Sequence, residues 1–193
     1  PMVPLNLVGD LAGGALYLAL AINAALLQRE RSDLSGVIDA AIMNGATHML
    51  SGIYGRLGVG IWQDRPAANV IDGGVPWYRC YRCADGGWMA AGAIEARFYR
   101  IFVEALDLSP DTLPDRDQRE HWPALEKIFT ERFASRPRSH WESVFESLDA
   151  CVTPVLSLSE ASRHPQQAAR NRFENLEDGT PIPRWTWQAG QQD

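Results

Sequence analysis

An apolar run from Leu11 to Leu27 constrains the fold more than any other feature of this sequence. The run lacks a polar face, so a helix over these residues needs apolar partners on several sides. A membrane-spanning helix requires roughly 18 to 20 apolar residues. This run is shorter, contains Asn23, and is bounded by Asp10 and the charged residues 29–31. We therefore expect a soluble helix buried on all sides within a larger layered domain, with a membrane segment as the alternative.

Composition narrows the class of protein. The 193 residues, 46% hydrophobic and 22% charged, are typical of one large or two small soluble domains. The net charge of −6 argues against nucleic acid as a partner. Lys127 is the sole lysine, which excludes a P-loop and nearly excludes Schiff-base chemistry.

The cysteines and the N-terminus bear on location. Three cysteines, an odd number, favour a reducing compartment, and we expect a cytoplasmic protein. The N-terminus has no basic region or signal-type cleavage site, and Pro1 precedes the first methionine. This start is typical of a fragment.

Periodicity and turn residues predict the local elements. Asp85-Gly86 between two aromatic, β-rich runs predicts a hairpin of strands over 77–83 and 88–94. A Gly- and Pro-containing connector is expected over 58–74. Ser159 is predicted to cap a turn. The remaining predictions are strands over 37–39 and 151–156, helices over 40–57, 95–106, 117–134, 138–148 and 164–171, and a coil tail from 178.

Two patterns suggest a metal or redox site but favour plain structural roles. Cys80 and Cys83 form a C-x-x-C, yet zinc needs four ligands, and odd spacing along a strand points two side chains to opposite faces. We interpret the pair as strand residues. His48 lies in an apolar helical stretch and is interpreted as a satisfied core histidine.

Asp10 and Glu95 are the candidate catalytic residues, and each has a structural alternative. Asp10 precedes an Ala-Gly-Gly stretch, where it could cap a helix, or where glycines could let a ligand approach the backbone. Glu95 follows the second hairpin strand, where the chain turns into a helix. At that position Glu95 could be a functional residue, as residues in loops and at element ends often are. Alternatively, its negative charge could only interact favourably with the helix dipole.

Six separated stretches share one further pattern. They are Asn6–Gly14 (NLVGDLAGG), 37–41 (VIDAA), 69–76 (NVIDGGVP), 81–87 (YRCADGG), 92–99 (GAIEARFY) and 149–160 followed by His164-Pro165. Together they resemble the family III coenzyme A transferases over almost the whole chain. Family transferases have a glycine-rich loop where this chain has Gly-Ala-Ile-Glu, so the resemblance is strongest to the racemase branch.

The resemblance implies an α/β fold with an interlocked dimer. Residues 1–57 would be the later part of a Rossmann-like large domain, 58–76 a linker, 77–163 a small α/β domain, and 164–193 a returning segment. The first half of the family fold, with its coenzyme A binding loops, has no counterpart in this sequence. We therefore expect Leu16, Leu20 and Leu27 to be partly uncovered in the isolated chain.

The resemblance also implies the chemistry. Family racemases epimerise 2-methylacyl-CoA thioesters by removing and returning the α-proton through an enolate, without a metal or redox cofactor. Asp10 matches an acid/base group, and Glu95 matches the residue that supports a catalytic histidine, which in the family lies upstream of Asp10. The family often has Pro-Gln after the glutamate, where Ala96-Arg97 stand here. Two alternatives stay open: a transferase in which Asp10 is the nucleophile, and a non-catalytic fragment or dimerisation module.

Overall fold

The computed structural model describes residues 5–32 and 36–184 and has mixed α/β structure. It divides into two compact units, Pro1–Arg65 and Pro66–Asp193, and each is described by itself. Over the described residues the first unit is helical. The second contains two small sheets and several helices.

In the first unit, a π-helix over Leu7–Leu16 continues directly into α1 (Tyr17–Ser32), and α2 (Ile42–Met49) and α3 (Ser51–Gly58) follow. The strand predicted over 37–39 is wrong: residues 36–41 have no regular structure, and Val37 is 99% exposed. The described residues of this unit contain no strand with which it could pair. The helix predicted over 40–57 is interrupted at Leu50, where ψ is 1°.

The apolar helix is exposed rather than buried on all sides. Leu16, Leu20 and Leu27 are 66%, 67% and 54% exposed, which confirms the predicted uncovered surface. The continuous helix Leu7–Ser32 is 26 residues long, and its length and composition would suffice to cross a membrane. A soluble fold must cover such a face with further chain or with a partner.

Glycines allow the π-helix to touch α2 closely. Gly13 and Gly45 are both buried, although most of this unit is exposed. A Cβ atom on Gly45 would lie 2.0 Å from the carbonyl oxygen of Gly13, and one on Gly13 would lie 2.9 Å from the amide nitrogen of Ala46. Backbone-to-backbone packing therefore holds the two helices together, with no room for a methyl group.

Gly45→Ala is expected to lower the free energy of unfolding of this unit by about 1–3 kcal/mol, because the added methyl group forces the helices apart. Gly52→Ala in α3 is the matched control, since nothing lies within 4 Å of its Cβ position. There alanine should stabilise by about 0.4–1 kcal/mol. Urea unfolding followed by far-UV circular dichroism measures both. Equal stabilisation by the two substitutions would contradict the close packing.

The second unit is built on an antiparallel sheet of β1 (Tyr78–Arg82), β2 (Trp88–Gly92) and β3 (Val152–Val155), with β2 in the middle. The predicted hairpin is confirmed, with Tyr78 opposite Gly92 and Arg82 opposite Trp88. Tyr81, Met89 and Val152 are buried on one face of the sheet.

Three helices pack on the buried face: α4 (Ala96–Ala105), α5 (Trp122–Ala134) and α6 (Arg138–Phe145). The helix predicted from residue 117 begins only at Trp122, after a 3₁₀ turn over Arg119–His121. Pro123 lies in the first turn of α5, a position that favours proline because its missing amide hydrogen is not needed there. The helices contribute five of the aromatic core side chains, namely Phe102, Phe129, Phe133, Trp141 and Phe145.

The Asp72-Gly73-Gly74 segment before β1 is a structural turn. The carboxylate of Asp72 accepts hydrogen bonds from the amides of Ala68, Asn69 and Gly74 and from the Asn69 side chain. Partial burial acts to raise the pKa of Asp72, but these hydrogen bonds outweigh it and lower the pKa. A Cβ on Gly74 would lie 2.7 Å from the Asn69 amide nitrogen, so the turn requires glycine there.

Arg138 connects the hairpin, α6 and the end of the sheet. Its backbone amide donates to Asp85 in the hairpin turn, and its guanidinium donates to the Val155 carbonyl oxygen and to Glu160. Its Nε lies 2.7 Å from Glu142. Arg138 thus joins α6 to the hairpin turn and to the segment that runs from the end of β3 to Glu160.

Acid is expected to weaken this unit through Glu160. Hydrogen bonds from Arg138 and Ser157 lower its pKa from 4.5 to about 2. Because folding lowers this pKa, the ionised carboxylate stabilises the folded state above pH 4.5, and that contribution is lost as the pH falls to about 2. In Glu160→Gln the urea midpoint of unfolding should change less with pH between about 2 and 4.5 than in the wild type. Glu146→Gln, at an exposed glutamate, is the control, and identical pH profiles for wild type and Glu160→Gln would contradict the expectation.

Residues 157–184 end the described chain with α7 (Leu158–Ala161), α8 (Pro165–Ala169) and a strand pair, β4 (Phe173–Asn175) with β5 (Pro181–Pro183). The coil predicted from residue 178 is wrong where β5 pairs with β4; residues 185–193 lie outside the described residues. Ser157, not Ser159, caps α7: it forms a reciprocal capping box with Glu160.

Candidate functional site

Asp10 lies inside the π-helix of the first unit, with its side chain exposed. The helix begins after Asn6, and the Leu11 amide donates to the Asn6 carbonyl oxygen at 3.1 Å, so Asp10 is not a helix cap and that interpretation is wrong. π-Helical turns are rare and frequently occur at functional sites. The geometry leaves the Asp10 carboxylate available for chemistry.

The glycines after Asp10 pack closely against α2. Gly13 contacts α2, and a Cβ on Gly14 would lie 3.1 Å from the Ile42 side chain. Their role is to let helices pack.

Glu95 lies three residues after β2 and immediately before α4. Its backbone is extended, with φ −70° and ψ 144°, and its side chain forms no capping hydrogen bond. Its carbonyl oxygen accepts from the Tyr99 amide at 2.9 Å. The backbone of Glu95 thus starts the helix, while its exposed carboxylate projects free of the cap.

Cys151 lies beside the end of β2: its carbonyl oxygen accepts from the Gly92 amide at 2.8 Å, three residues before Glu95. Burial raises the pKa of the Cys151 thiol, the charges of Asp149 and Glu95 raise it further, and Arg97 opposes them. The backbone of Cys151 has a φ of 53°, in the left-handed region. A raised pKa keeps the thiol protonated at neutral pH, which argues against a nucleophilic role. The sequence alone did not link Cys151 to Glu95.

A trough of about 610 Å³ runs over the outer face of the sheet and reaches Cys151. Its floor is open because the central strand presents the small residues Ala90 and Gly92 there. The trough is lined by Gly73, Tyr78, Arg79, Cys80, Ala90, Ala91, Gly92, Cys151 and Thr153. The second unit therefore offers a shallow, largely apolar surface that reaches the cysteine beside the end of β2.

The other candidate residues have structural roles or none. Cys80 is exposed on β1, whereas Cys83 lies one residue beyond the end of that strand and is buried. Burial raises the pKa of Cys83 to about 11. His48 is exposed, so the core interpretation is wrong; its Nδ1 lies 2.7 Å from the Tyr17 hydroxyl. Within residues 5–32 and 36–184, no three His, Cys, Asp or Glu side chains are grouped to hold a metal.

Comparison with known proteins gives a family and two kinds of relative. The model of CoA-transferase family III matches residues 1–192. Human alpha-methylacyl-CoA racemase is 39% identical over 184 residues, which are 95% of this chain and 48% of the racemase; the mouse racemase is 38% identical over 183 residues, with the same coverage. Acetyl-CoA:oxalate CoA-transferase of Acetobacter aceti is 24% identical over 174 residues, 85% of this chain and 43% of the transferase. This chain spans about half the length of these curated relatives.

Solved structures support the fold. A CaiB/BaiF family protein from Brucella suis superposes with a TM-score of 0.73 at 18% identity, over 100% of this chain and 51% of its own. Rv3272 from Mycobacterium tuberculosis superposes with a TM-score of 0.71 at 18% identity, over 98% of this chain and 49% of its own. At this identity the likeness concerns the fold alone.

Proposed function

Because this chain belongs to CoA-transferase family III, we propose that it forms part of an acyl-CoA racemase that epimerises 2-methylacyl-CoA thioesters. The observation that carries the proposal is the 39% identity to human alpha-methylacyl-CoA racemase across 95% of the chain. Glu95, exposed and uninvolved in capping, supports it from the structure.

The reaction needs two acid/base groups on opposite faces of the α-carbon. One group removes the α-proton, the electron pair moves to the thioester oxygen to form an enolate, and the second group delivers a proton to the other face. We assign one of these groups to Asp10, whose carboxylate is exposed on the π-helix. The other would be a histidine from the remainder of the racemase fold.

Glu95 is proposed as a positioning residue. A carboxylate that accepts a hydrogen bond from one imidazole nitrogen fixes which nitrogen carries the proton, and so which nitrogen meets the substrate. Glu95 can take this role because its own helix does not use the side chain.

The same proposal covers cofactor, partner and location. Carboxylate and imidazole suffice for α-proton exchange, so no cofactor is needed beyond the coenzyme A carried by the substrate. We propose that further chain and a second subunit cover the apolar face that includes Leu16, Leu20 and Leu27, which are more than half exposed here. The proposed location is the cytoplasm.

The family also supports a transferase as the second candidate, because a CoA-transferase of Acetobacter aceti is among the relatives. In that reaction Asp10 would attack the thioester carbonyl, release the coenzyme A thiolate and form a mixed anhydride. The thiolate then attacks the aspartyl carbonyl, which forms an aspartyl thioester and releases the donor acid as its carboxylate. The higher identity to racemases favours the first candidate.

A chimaera tests the proposal without requiring this chain to act alone. This chain replaces the matching part of human alpha-methylacyl-CoA racemase, and deuterium incorporation at the α-carbon of a 2-methylacyl-CoA is followed by mass spectrometry. Exchange by the chimaera supports the racemase. Transfer of coenzyme A to a free carboxylic acid, without exchange, supports the transferase instead. A folded chimaera that catalyses neither α-proton exchange nor coenzyme A transfer would indicate that the chain is non-catalytic.

A further inference from the structure

An open cavity lies in the second unit between the α7–α8 region and the β4–β5 pair. Its volume is about 630 Å³. Two cations, Arg163 and Arg172, lie in its wall. The rest of the lining combines hydrogen-bonding side chains with apolar ones: Ser159, Ser162, Gln167, Asn171 and Asn175, and Ala168, Phe173 and Pro181. No residue that lines the cavity is an Asp or a Glu.

Both guanidinium groups are held in place by one backbone bond each. The Nε of Arg163 donates to the Ser159 carbonyl oxygen at 3.1 Å, and the Nη2 of Arg172 donates to the Arg184 carbonyl oxygen at 2.8 Å. An arginine that is anchored in this way retains further N–H groups for a second partner. The bond also favours one orientation of the guanidinium before that partner arrives.

The positive charge at the cavity is not neutralised by described residues. Among residues 5–32 and 36–184, neither Arg163 nor Arg172 forms an ion pair. In the β4–β5 hairpin, Glu174 pairs with Arg184 at 3.5 Å, Asp178 accepts from the Thr180 amide at 2.9 Å, and Glu177 is exposed and outside the cavity lining. Two cations in one cavity without a counter-charge favour an anionic ligand.

We propose that this cavity binds a phosphate-bearing anion through Arg163 and Arg172. Guanidinium groups donate paired hydrogen bonds that match the spacing of phosphate oxygens. The serine hydroxyl and asparagine amide groups can satisfy the remaining oxygens. The phosphate could belong to the nucleotide end of coenzyme A or to a separate metabolite. The inference does not depend on the proposed racemase chemistry, because it concerns neither Asp10 nor Glu95.

Isothermal titration of the 193-residue chain with inorganic pyrophosphate tests the proposal. Arg163→Gln and Arg172→Gln should each weaken binding about tenfold or more, since each removes charge-assisted hydrogen bonds. Arg170→Gln is the matched control: it removes the same charge from an exposed arginine outside the cavity lining and should leave binding unchanged. Arg172→Lys keeps the charge without the paired donors and should bind between wild type and Arg172→Gln.

Titrations with two further ligands identify which compound supplies the phosphate and which results would overturn the proposal. If adenosine 3′,5′-bisphosphate binds tighter than pyrophosphate, and its binding depends on both arginines, the site is assigned to coenzyme A. If it binds more weakly than pyrophosphate, the site is assigned to a separate phosphate compound. Citrate that binds tighter than both would replace phosphate with a carboxylate ligand and overturn the proposal. The proposal would also be overturned if all three glutamine variants weakened pyrophosphate binding equally. The same holds if chains with unchanged thermal unfolding did not bind pyrophosphate at millimolar concentration.

Discussion

Asp10→Asn in the racemase chimaera is expected to slow α-proton exchange by about a hundred- to ten-thousand-fold. The substitution keeps the size of the side chain but removes the group that accepts the proton. Asp10 is exposed and makes no described hydrogen bond through its side chain to stabilise the fold, so the variant should remain folded. The measurement is deuterium incorporation into a 2-methylacyl-CoA, with circular dichroism as the check on folding.

Glu95→Gln tests whether Glu95 positions the catalytic histidine rather than acting as a base itself. It should slow exchange less than Asp10→Asn, and it should shift the pH profile of exchange because a neutral amide no longer holds the histidine proton in place. Glu104→Gln, at an exposed glutamate on α4, is the matched control and should change neither rate nor profile. Full exchange by Asp10→Asn would reject the assignment of Asp10 as the base.

Phe133→Ala is expected to lower the free energy of unfolding of the second unit by about 3–5 kcal/mol. Phe133 is fully buried and stacks on Tyr81 with ring centroids 5.0 Å apart, and its carbonyl oxygen accepts from the Trp141 indole at 3.0 Å. Removing the ring leaves a cavity where three helices meet the sheet. Urea unfolding followed by near-UV circular dichroism, which reports on the packing of the buried Trp141, measures the loss.

Two comparison variants make the Phe133 result specific. Phe133→Leu keeps most of the volume and should lose less. Leu158→Ala removes a side chain that is 92% exposed and should stay within about 0.5 kcal/mol of wild type. A loss from Phe133→Ala no larger than that from Leu158→Ala would show that this aromatic core does not stabilise the unit.

Short-range patterns in the sequence predicted the hairpin and the helices of the second unit. Asp85-Gly86 between two β-rich runs specifies a tight turn, and Gly86 adopts a φ of 85°, which suits glycine. The spacing of Phe98, Ile101 and Phe102 predicted α4, because one face of that helix must be apolar to pack on the sheet. Such features depend on neighbours within a few residues, and the sequence displays those neighbours directly.

Long-range partners decided what the sequence could not. Val37–Asp39 has strand-forming residues, yet no described strand of the first unit lies beside it, so it stays irregular. The Pro181–Pro183 segment, predicted as coil, forms a strand because Phe173–Asn175 pairs with it. The pairing of β2 with β3 likewise brings Cys151 to the end of β2, where its carbonyl oxygen accepts from the Gly92 amide.

The sequence by itself determined the family, the candidate pair Asp10 and Glu95, and the apolar helix that needs a cover. These follow from residue identity and local spacing, which do not depend on where distant segments lie. The tertiary structure alone showed that Gly13 and Gly45 serve helix packing, that Asp10 lies in a π-helix rather than at a cap, and that Arg163 and Arg172 share one cavity. The physical reason is that contact, burial and charge balance are set by residues far apart in the chain, which folding brings together.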